Sequence, residues 1–477
     1  MTTLETFRDT IAAAARDGTL RDGLIGENIL IPGLTGEVPL VYADYVASGR
    51  ALRQVEDFVA SEVLPYYANS HTEASYCGAH MTRLRKAARA EIARLVGAGE
   101  DDAVIFAGSG ATAGLNRLVS LLGVNEAASP VVLIGPYEHH SNILPWRESR
   151  ADVIEIPEAA EGGPDLAALE AALIDHAGAD LLIGSFSAAS NVTGIVTDAD
   201  AVTRLLKAHG AVAVWDYAGA GPYLPIDMGR GTDAAKDAIV VSPHKFPGGP
   251  GASGVLVVNT DVVRRTRPCW PGGGTVAFVS PWGHEYSRDL AAREEAGTPN
   301  VIGDIRAALA FLVKDAVGAE VIAAREARYN AMALEGWSDN PHLTLLGADK
   351  GHRLPIFSFM VRDGQGAPVH QQLFTRMLSD IHGIQARGGC ACAGPYAHRL
   401  LGIDRPMSEA LQADLKAGRE LRKPGWVRLN FSYLMDEATV RFIIDSVNAL
   451  SRSTDRYAPL YEVDETTARF KGQGRAA

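Results

Sequence analysis

At 477 residues, 47% of them hydrophobic and 21% charged, the chain has the composition of a globular protein long enough for two domains, which excludes disordered, low-complexity and fibrous classes. Its 45 lysines and arginines face 57 acids, and a net charge of −12 argues against a nucleic-acid partner. The start of the chain carries Glu5 and Asp9 and lacks an apolar signal region, and nothing later approaches the ~18 uninterrupted apolar residues of a membrane span; a soluble, cytoplasmic protein with no membrane partner is expected.

The first 40 residues carry no clear pattern and are set apart as an N-terminal segment (1–40), packing on a small domain or at an interface. From about residue 103, short apolar runs alternate with amphipathic stretches, the pattern of a parallel sheet whose strands are joined by helices. Strands are expected at 103–106, 131–134, 181–184, 212–215, 238–241 and 254–258, with helices over 165–177 and 198–209, the second opened by Asp198 as N-cap. After Gly303 a helical pattern runs unbroken to about Trp337, and strand-like runs follow at 356–361 and 426–431 with helices between. The chain therefore reads as a large α/β domain over 41–315 and a smaller α+β domain over 316–477, without an internal repeat.

Several strand ends carry reactive or anion-binding residues. Lys245, in Val240-Val-Ser-Pro-His-Lys-Phe-Pro-Gly-Gly249, follows Ser242 and His244 at the end of an apolar strand. Taken alone, a strand-end lysine is ordinarily solvated; desolvated beside an anion site, it becomes a Schiff-base nucleophile. Val214-Trp-Asp216 ends another strand with an acid that either caps a helix or pairs with a protonated ring nitrogen. Gly108-Ser-Gly-Ala-Thr-Ala-Gly114 joins a strand to a helix, and its glycines, Thr112 and the helix N-terminus make a phosphate cradle. His139, in Tyr137-Glu-His-His-Ser-Asn142, and Asn191, in Ser190-Asn-Val-Thr-Gly194, occupy strand-end positions of the same kind, where ligands bind in parallel sheets.

Taken together and in this order, with Tyr42-Ala-Asp-Tyr45 before them and Glu294-Glu-Ala-Gly-Thr-Pro-Asn300 after them, these motifs resemble those of the class V aminotransferase-fold enzymes. Within that family the chain is similar to the cysteine desulfurase and selenocysteine lyase group, over roughly residues 40 to 450. The resemblance implies fold type I, with a mainly parallel seven-stranded sheet in the large domain, and pyridoxal 5'-phosphate (PLP) as cofactor. It also implies that Lys245 binds PLP, Asp216 pairs with its ring nitrogen, His139 stacks on the ring, and Gly110, Ala111, Thr112, Ser242 and His244 line the phosphate. Asn191 would touch cofactor and substrate, and Arg428, in Trp426-Val-Arg-Leu-Asn-Phe431, matches the arginine that grips a substrate α-carboxylate through a bidentate pair. Thr298 would reach the phosphate of a neighbouring subunit, which implies a homodimer.

The four cysteines, Cys77, Cys269, Cys390 and Cys392, are too few and too scattered for a disulfide scaffold. Two lie in Gln385-Ala-Arg-Gly-Gly-Cys-Ala-Cys-Ala-Gly-Pro-Tyr396, a segment whose glycines suit a mobile loop with an exposed thiolate. A catalytic loop is the leading reading over two small buried hydrophobes in a tight turn, and a zinc site falls short of four ligands even with His398; no metal is expected. By the resemblance Cys392 stands at the nucleophile position and Cys390 is an extra thiol able to relay a persulfide. Gly219 replaces the glutamine usual near the cofactor, and residues around 404–423 lengthen the chain after the cysteine loop. The expected reaction converts L-cysteine to L-alanine and leaves a persulfide on Cys392 for an acceptor protein. Selenocysteine lyase, aminotransferase, epimerase or C–S lyase chemistry, and a non-catalytic sulfur-transfer scaffold, remain as alternatives.

Overall fold

A computed structural model describes residues 3–69 and 73–473. Contacts divide the chain into two units, the first formed by Met1–Ile25, Ser48–Ala189 and Thr197–Val321, the second by Gly26–Ala47, Ser190–Val196 and Ile322–Ala477.

The first unit is built on seven strands: β1 (Asp102–Gly108), β2 (Pro130–Ile134), β3 (Asp152–Glu155), β4 (Leu181–Ser187), β5 (Val212–Asp216), β6 (Ala238–Val241) and β7 (Gly254–Asn259). Their order in the sheet is β1-β7-β6-β5-β4-β2-β3, and β7 alone runs antiparallel to its neighbours β1 and β6. The six strands expected from apolar runs are all present. The seventh, β3, sits at the edge with its side chains half exposed, so no continuous apolar run marks it. Strands β4 and β6 are buried along their whole length, as strands covered on both faces must be.

The longer helices of this unit are α1 (Thr3–Arg16), α2 (Tyr76–Leu95), α3 (Gly110–Leu121), α4 (Leu166–Asp175), α5 (Ala199–Ala208) and α6 (Val301–Val317). Asp165 caps α4 by accepting from Ala167 and Ala168 N–H, and Asp198 caps α5 by accepting from Ala201 N–H, which satisfies amides that the first turn leaves open. Helix α3 packs its Ala111, Leu115 and Leu118 face against β6 and β7, and α6 packs with α1 and α2.

The helical pattern from Gly303 to Trp337 is two helices rather than one. Gly318, at φ +85 and ψ 142, ends α6, and α7 (Ala319–Trp337) begins at the next residue. The apolar periodicity continues through a backbone geometry reserved for glycine, so pattern alone conceals the break.

The second unit holds an antiparallel sheet of β8 (Leu343–Leu345), β9 (Ile356–Arg362), β10 (Arg387–Gly389) and β11 (Trp426–Asn430), in the order β8-β9-β11-β10, with the two-residue strand Pro368–Val369 beside β9. After α7, the longer helices of this unit are α8 (Gln371–His382), α9 (Gly394–Leu400), α10 (Arg405–Lys416) and α11 (Glu437–Ser451). Trp337, Phe357, Phe359, Phe374, Phe431 and Ile443 form the core of this unit, and each fully buried side chain of this size contributes about 1.5–3 kcal/mol. Helix α10, in the stretch that lengthens the chain, buries none of its residues. Among the described residues no helix is long and apolar enough to cross a membrane.

Candidate active site

In the first unit the predicted residues collect at the C-terminal ends of β1, β2, β5 and β6. Lys245 closes a single helical turn, Pro243–Lys245, immediately after β6, and is half buried. Asp216 is the last residue of β5, buried, and its Oδ1 accepts from Ala218 N–H at 2.7 Å. Burial pushes its carboxyl above the usual range, opposed by the Ala218 amide and the Lys245 charge. His244 is driven down to about 4 by burial and by Lys245, so its ring is neutral at pH 7.

The loop after β1 turns directly into α3. Ser242 Oγ accepts from Ala111 N–H at 2.9 Å, tying the first turn of α3 to the end of β6. Gly110 has φ +68, and a Cβ there would stand 2.8 Å from Ser242 Oγ and 2.9 Å from the His244 ring, so only glycine lets the three segments meet. Thr112 Oγ1 lies 2.7 Å from Ser141 Oγ, and Ser141 N–H donates to His139 Nδ1 at 3.1 Å, which places the imidazole proton on Nε2. The exposed Thr112 hydroxyl, the amides of the α3 turn and the neutral His244 make a cradle open to an anion.

Glu138, a residue given no role in the sequence reading, anchors this arrangement. Its carboxyl is fully buried and accepts from Ser187 N–H at 2.8 Å, from Ser187 O–H and from Asn142 Nδ2 at 2.6 Å. Asn142 in turn accepts from Ser185 O–H at 2.6 Å and from Trp146 Nε1 at 3.1 Å. Ser187 stands opposite Asp216 in the β4–β5 register, so the network fixes the strand end beside Asp216. Burial pushes Glu138 up to about 7 against those hydrogen bonds, with Asp216 adding to the rise.

Thr298 lies exposed after a short helix, Leu290–Glu294. Burial raises the proton affinity of Glu295, but Arg89 and Arg85, with Phe106 N–H, outweigh it and hold the carboxyl below its usual range. That clamp fixes the segment leading to Thr298, and Gly297 N–H bonds Gly273 O at 2.8 Å. Close by in the chain, the hairpin Val276–Ser280/Gly283–Tyr286 carries Phe278, Val279 and Trp282 on its surface, Trp282 at 92% exposure.

In the second unit Arg428 comes from the middle of β11, opposite Arg387 on β10 and Ser358 on β9. It is 4% exposed, donates through Nη1 to Asn191 O at 3.1 Å and through Nη2 to Asp44 Oδ1 at 2.9 Å. Asp44 also accepts from Arg387 Nε at 3.2 Å through its other oxygen. Asn191 Nδ2 donates to Ala391 O at 2.8 Å. Ala391 and Cys392 have φ +52 and +56, and Ala393 N–H bonds Cys390 O at 3.2 Å, the pattern of a type I′ turn made without glycine or asparagine. Such a conformation costs about 1–2 kcal/mol per residue and puts Cys392 on the exposed tip. Cys390 is half buried and faces a cavity of about 470 Å³ lined by Ala397, Leu411, Leu415 and Pro424, with Lys416 and Lys423. His398 is engaged at both ring nitrogens, with Gly394 O at 2.8 Å and Ser408 Oγ at 2.8 Å.

The protein-family model of class-V aminotransferases matches residues 41–440. The chain belongs to that family. Among its relatives a cysteine desulfurase of Pectobacterium atrosepticum is 31% identical over 374 residues, covering 76% of this chain and 87% of that protein. A probable cysteine desulfurase of Halalkalibacterium halodurans is 27% identical over 374 residues, covering 77% and 88%. The fold is that of a solved apo cysteine desulfurase from Thermococcus onnurineus, with a TM-score of 0.70 at 23% identity over 86% of this chain and 94% of that one. The class V, cysteine desulfurase-group resemblance and the fold-type-I expectation are thus borne out. Enzymes of this family depend on PLP, and this class-V chain is one of them. Its donor set suits the group: a strand-end lysine, a buried carboxyl whose charge burial disfavours until a cation meets it, and an open anion cradle on a helix N-terminus.

Proposed function

We propose that the protein is a cysteine desulfurase that moves sulfur from L-cysteine to Cys392. In this reading Lys245 holds PLP, Asp216 pairs with its ring nitrogen, and His139 lies against the ring. Gly110, Ala111, Thr112, Ser242 and His244 receive the phosphate. Bound PLP supplies an electron sink at the substrate Cα. The Lys245 amine takes the Cα proton, and Arg428 holds the substrate carboxylate through its guanidinium fork. Cys392 as thiolate attacks the substrate sulfur, forming an S–S bond as the Cβ–S bond breaks. The electron pair of that bond stays on Cβ, which takes a proton, so cysteine and one thiol become alanine and one persulfide with no outside oxidant.

The observation that carries this reading is the exposed thiol at the tip of a strained, hydrogen-bonded turn, because strain retained at Ala391 and Cys392 marks a position kept for function. Incubation with L-cysteine should give alanine and a persulfide on Cys392 in equal first-turnover amounts, read by mass spectrometry. Cys392→Ser should lose activity by at least about 100-fold, the scale of removing a nucleophile; full activity in that variant overturns the assignment.

A homodimer is part of the same proposal. Phe278, Val279 and Trp282 form an apolar surface that water disfavours, on a hairpin joined through Gly273 to the segment bearing Thr298. Covered by a second copy, this surface would present Thr298 to the neighbouring phosphate. The persulfide then passes to an acceptor protein, with Cys390 as a second carrier beside its apolar cavity.

A further inference from the structure

Asp44, in the Tyr42-Ala-Asp-Tyr45 motif, has no place in the mechanism above. Yet it sits, with its side chain 13% exposed, on the guanidinium assigned to the substrate carboxylate. Two arginines share this one carboxylate: Arg428, 4% exposed, and Arg387, 44% exposed. A guanidinium as buried as Arg428 needs an anion or carbonyl partners at all times, because an uncompensated buried charge costs several kcal/mol. Before substrate arrives that anion is Asp44, and the carbonyl is Asn191 O, whose side chain holds the Cys392 turn through Ala391 O.

We propose that Asp44 is an internal stand-in for the substrate carboxylate, which yields Arg428 to the incoming amino acid and remains paired with Arg387. The proposal rests on the assignment of Arg428 to the substrate carboxylate. Its chemistry is an exchange of ion pairs with no bond made or broken. Three features favour exchange over a fixed strut. The two arginines contact different oxygens of Asp44, so one pair can open while the other holds. Arg387 reaches solvent, which accommodates the displaced carboxylate at little cost. Arg387 and Arg428 face each other across β10 and β11, so the exchange needs no backbone movement.

The arrangement sets substrate affinity. Each carboxylate ligand must outcompete Asp44, which disfavours weak monocarboxylates and leaves Arg428 compensated between turnovers. It also gives Asp44 a signature opposite to that of a structural residue: removing its charge should tighten binding.

The test uses the PLP-loaded enzyme and L-alanine, which carries the amine and carboxylate without sulfur. Binding is followed by the change in cofactor absorbance and by thermal shift, so it reads the exchange even if the enzyme proves not to be a desulfurase. Asp44→Asn should bind L-alanine about tenfold more tightly, the effect of removing one partly buried competing pair, and KM for L-cysteine should fall while kcat does not rise. Arg387→Gln, at an exposed position, should do the reverse, because Asp44 then has only Arg428. Weaker or unchanged L-alanine binding in Asp44→Asn makes Asp44 a strut and overturns the proposal. If Asp44→Asn does not fold, unchanged or tighter binding in Arg387→Gln overturns it, as does a wild-type enzyme that gives no response to L-alanine. Loss of desulfurase activity alone, with the two binding shifts intact, would count against Cys392 and leave Asp44 standing.

Discussion

Glu138 keeps its proton up to about pH 7 because burial removes its carboxylate from water, and hydrogen bonds from Ser187 and Asn142 only partly compensate. Its folded-state affinity lies above that of the unfolded chain, so the folded protein binds the extra proton between about pH 4.5 and 7. Stability from this group is therefore complete at the acid side of that window and lost as pH rises through it, by up to about 3 kcal/mol at 1.36 kcal/mol per unit. Glu138→Gln, which cannot ionise, should flatten the fall of stability between pH 5 and 7.5, measured by urea unfolding at each pH. An identical slope in the variant would show that Glu138 is ionised throughout. At this scale the sequence made Lys245, Asp216 and Gly110 legible, because each stands next to a strand end that apolar patterning locates. It left Glu138, Asp44 and the Asn191–Ala391 bond illegible. Those depend on partners 49, 384 and 200 residues away in the chain, and no local pattern encodes such distances.

Elements were readable where burial on both faces leaves a continuous apolar run, as in β4, β5 and β6, and unreadable where exposure dilutes the run, as in β3. The Gly318 break belongs to the second kind of difficulty, since side-chain periodicity says nothing of φ. Its φ of +85 lies where only glycine is comfortable, and a Cβ there would meet nothing within 4 Å. Gly318→Ala is thus a clean measure of backbone strain, expected to cost about 1–3 kcal/mol in urea unfolding with kcat unchanged. A neutral result would mean that α6 and α7 can continue through residue 318. The turn at Cys392 makes the contrasting choice, placing Ala391 and Cys392 where glycine would be easier and holding them through Asn191. Glycine there would free the loop, whereas alanine and cysteine under constraint aim a thiol.

At the scale of the whole molecule, the hairpin of the first unit exposes Phe278, Val279 and Trp282 together. If the proposed homodimer forms through this hairpin, Phe278→Asp combined with Trp282→Asp should give monomers in sedimentation velocity and weaken PLP retention, since Thr298 would lose its neighbour. Dimers that survive both substitutions would place the interface elsewhere. The order of strands carries another consequence, one of timing. Strand β1 ends at Gly108, but β7, which covers its edge, begins at Gly254. At a synthesis rate of ~5–20 residues per second, a ribosome needs roughly 7–30 s to cover that interval. Until then the β1 edge that β7 covers has no partner strand. The second unit waits longer still, because its early pieces Gly26–Ala47 and Ser190–Val196 find their partners only after Ile322 onward has emerged. Asp44 and Asn191 are therefore made long before Arg428, and the Asp44–Arg428 ion pair can close only once Arg428 has emerged.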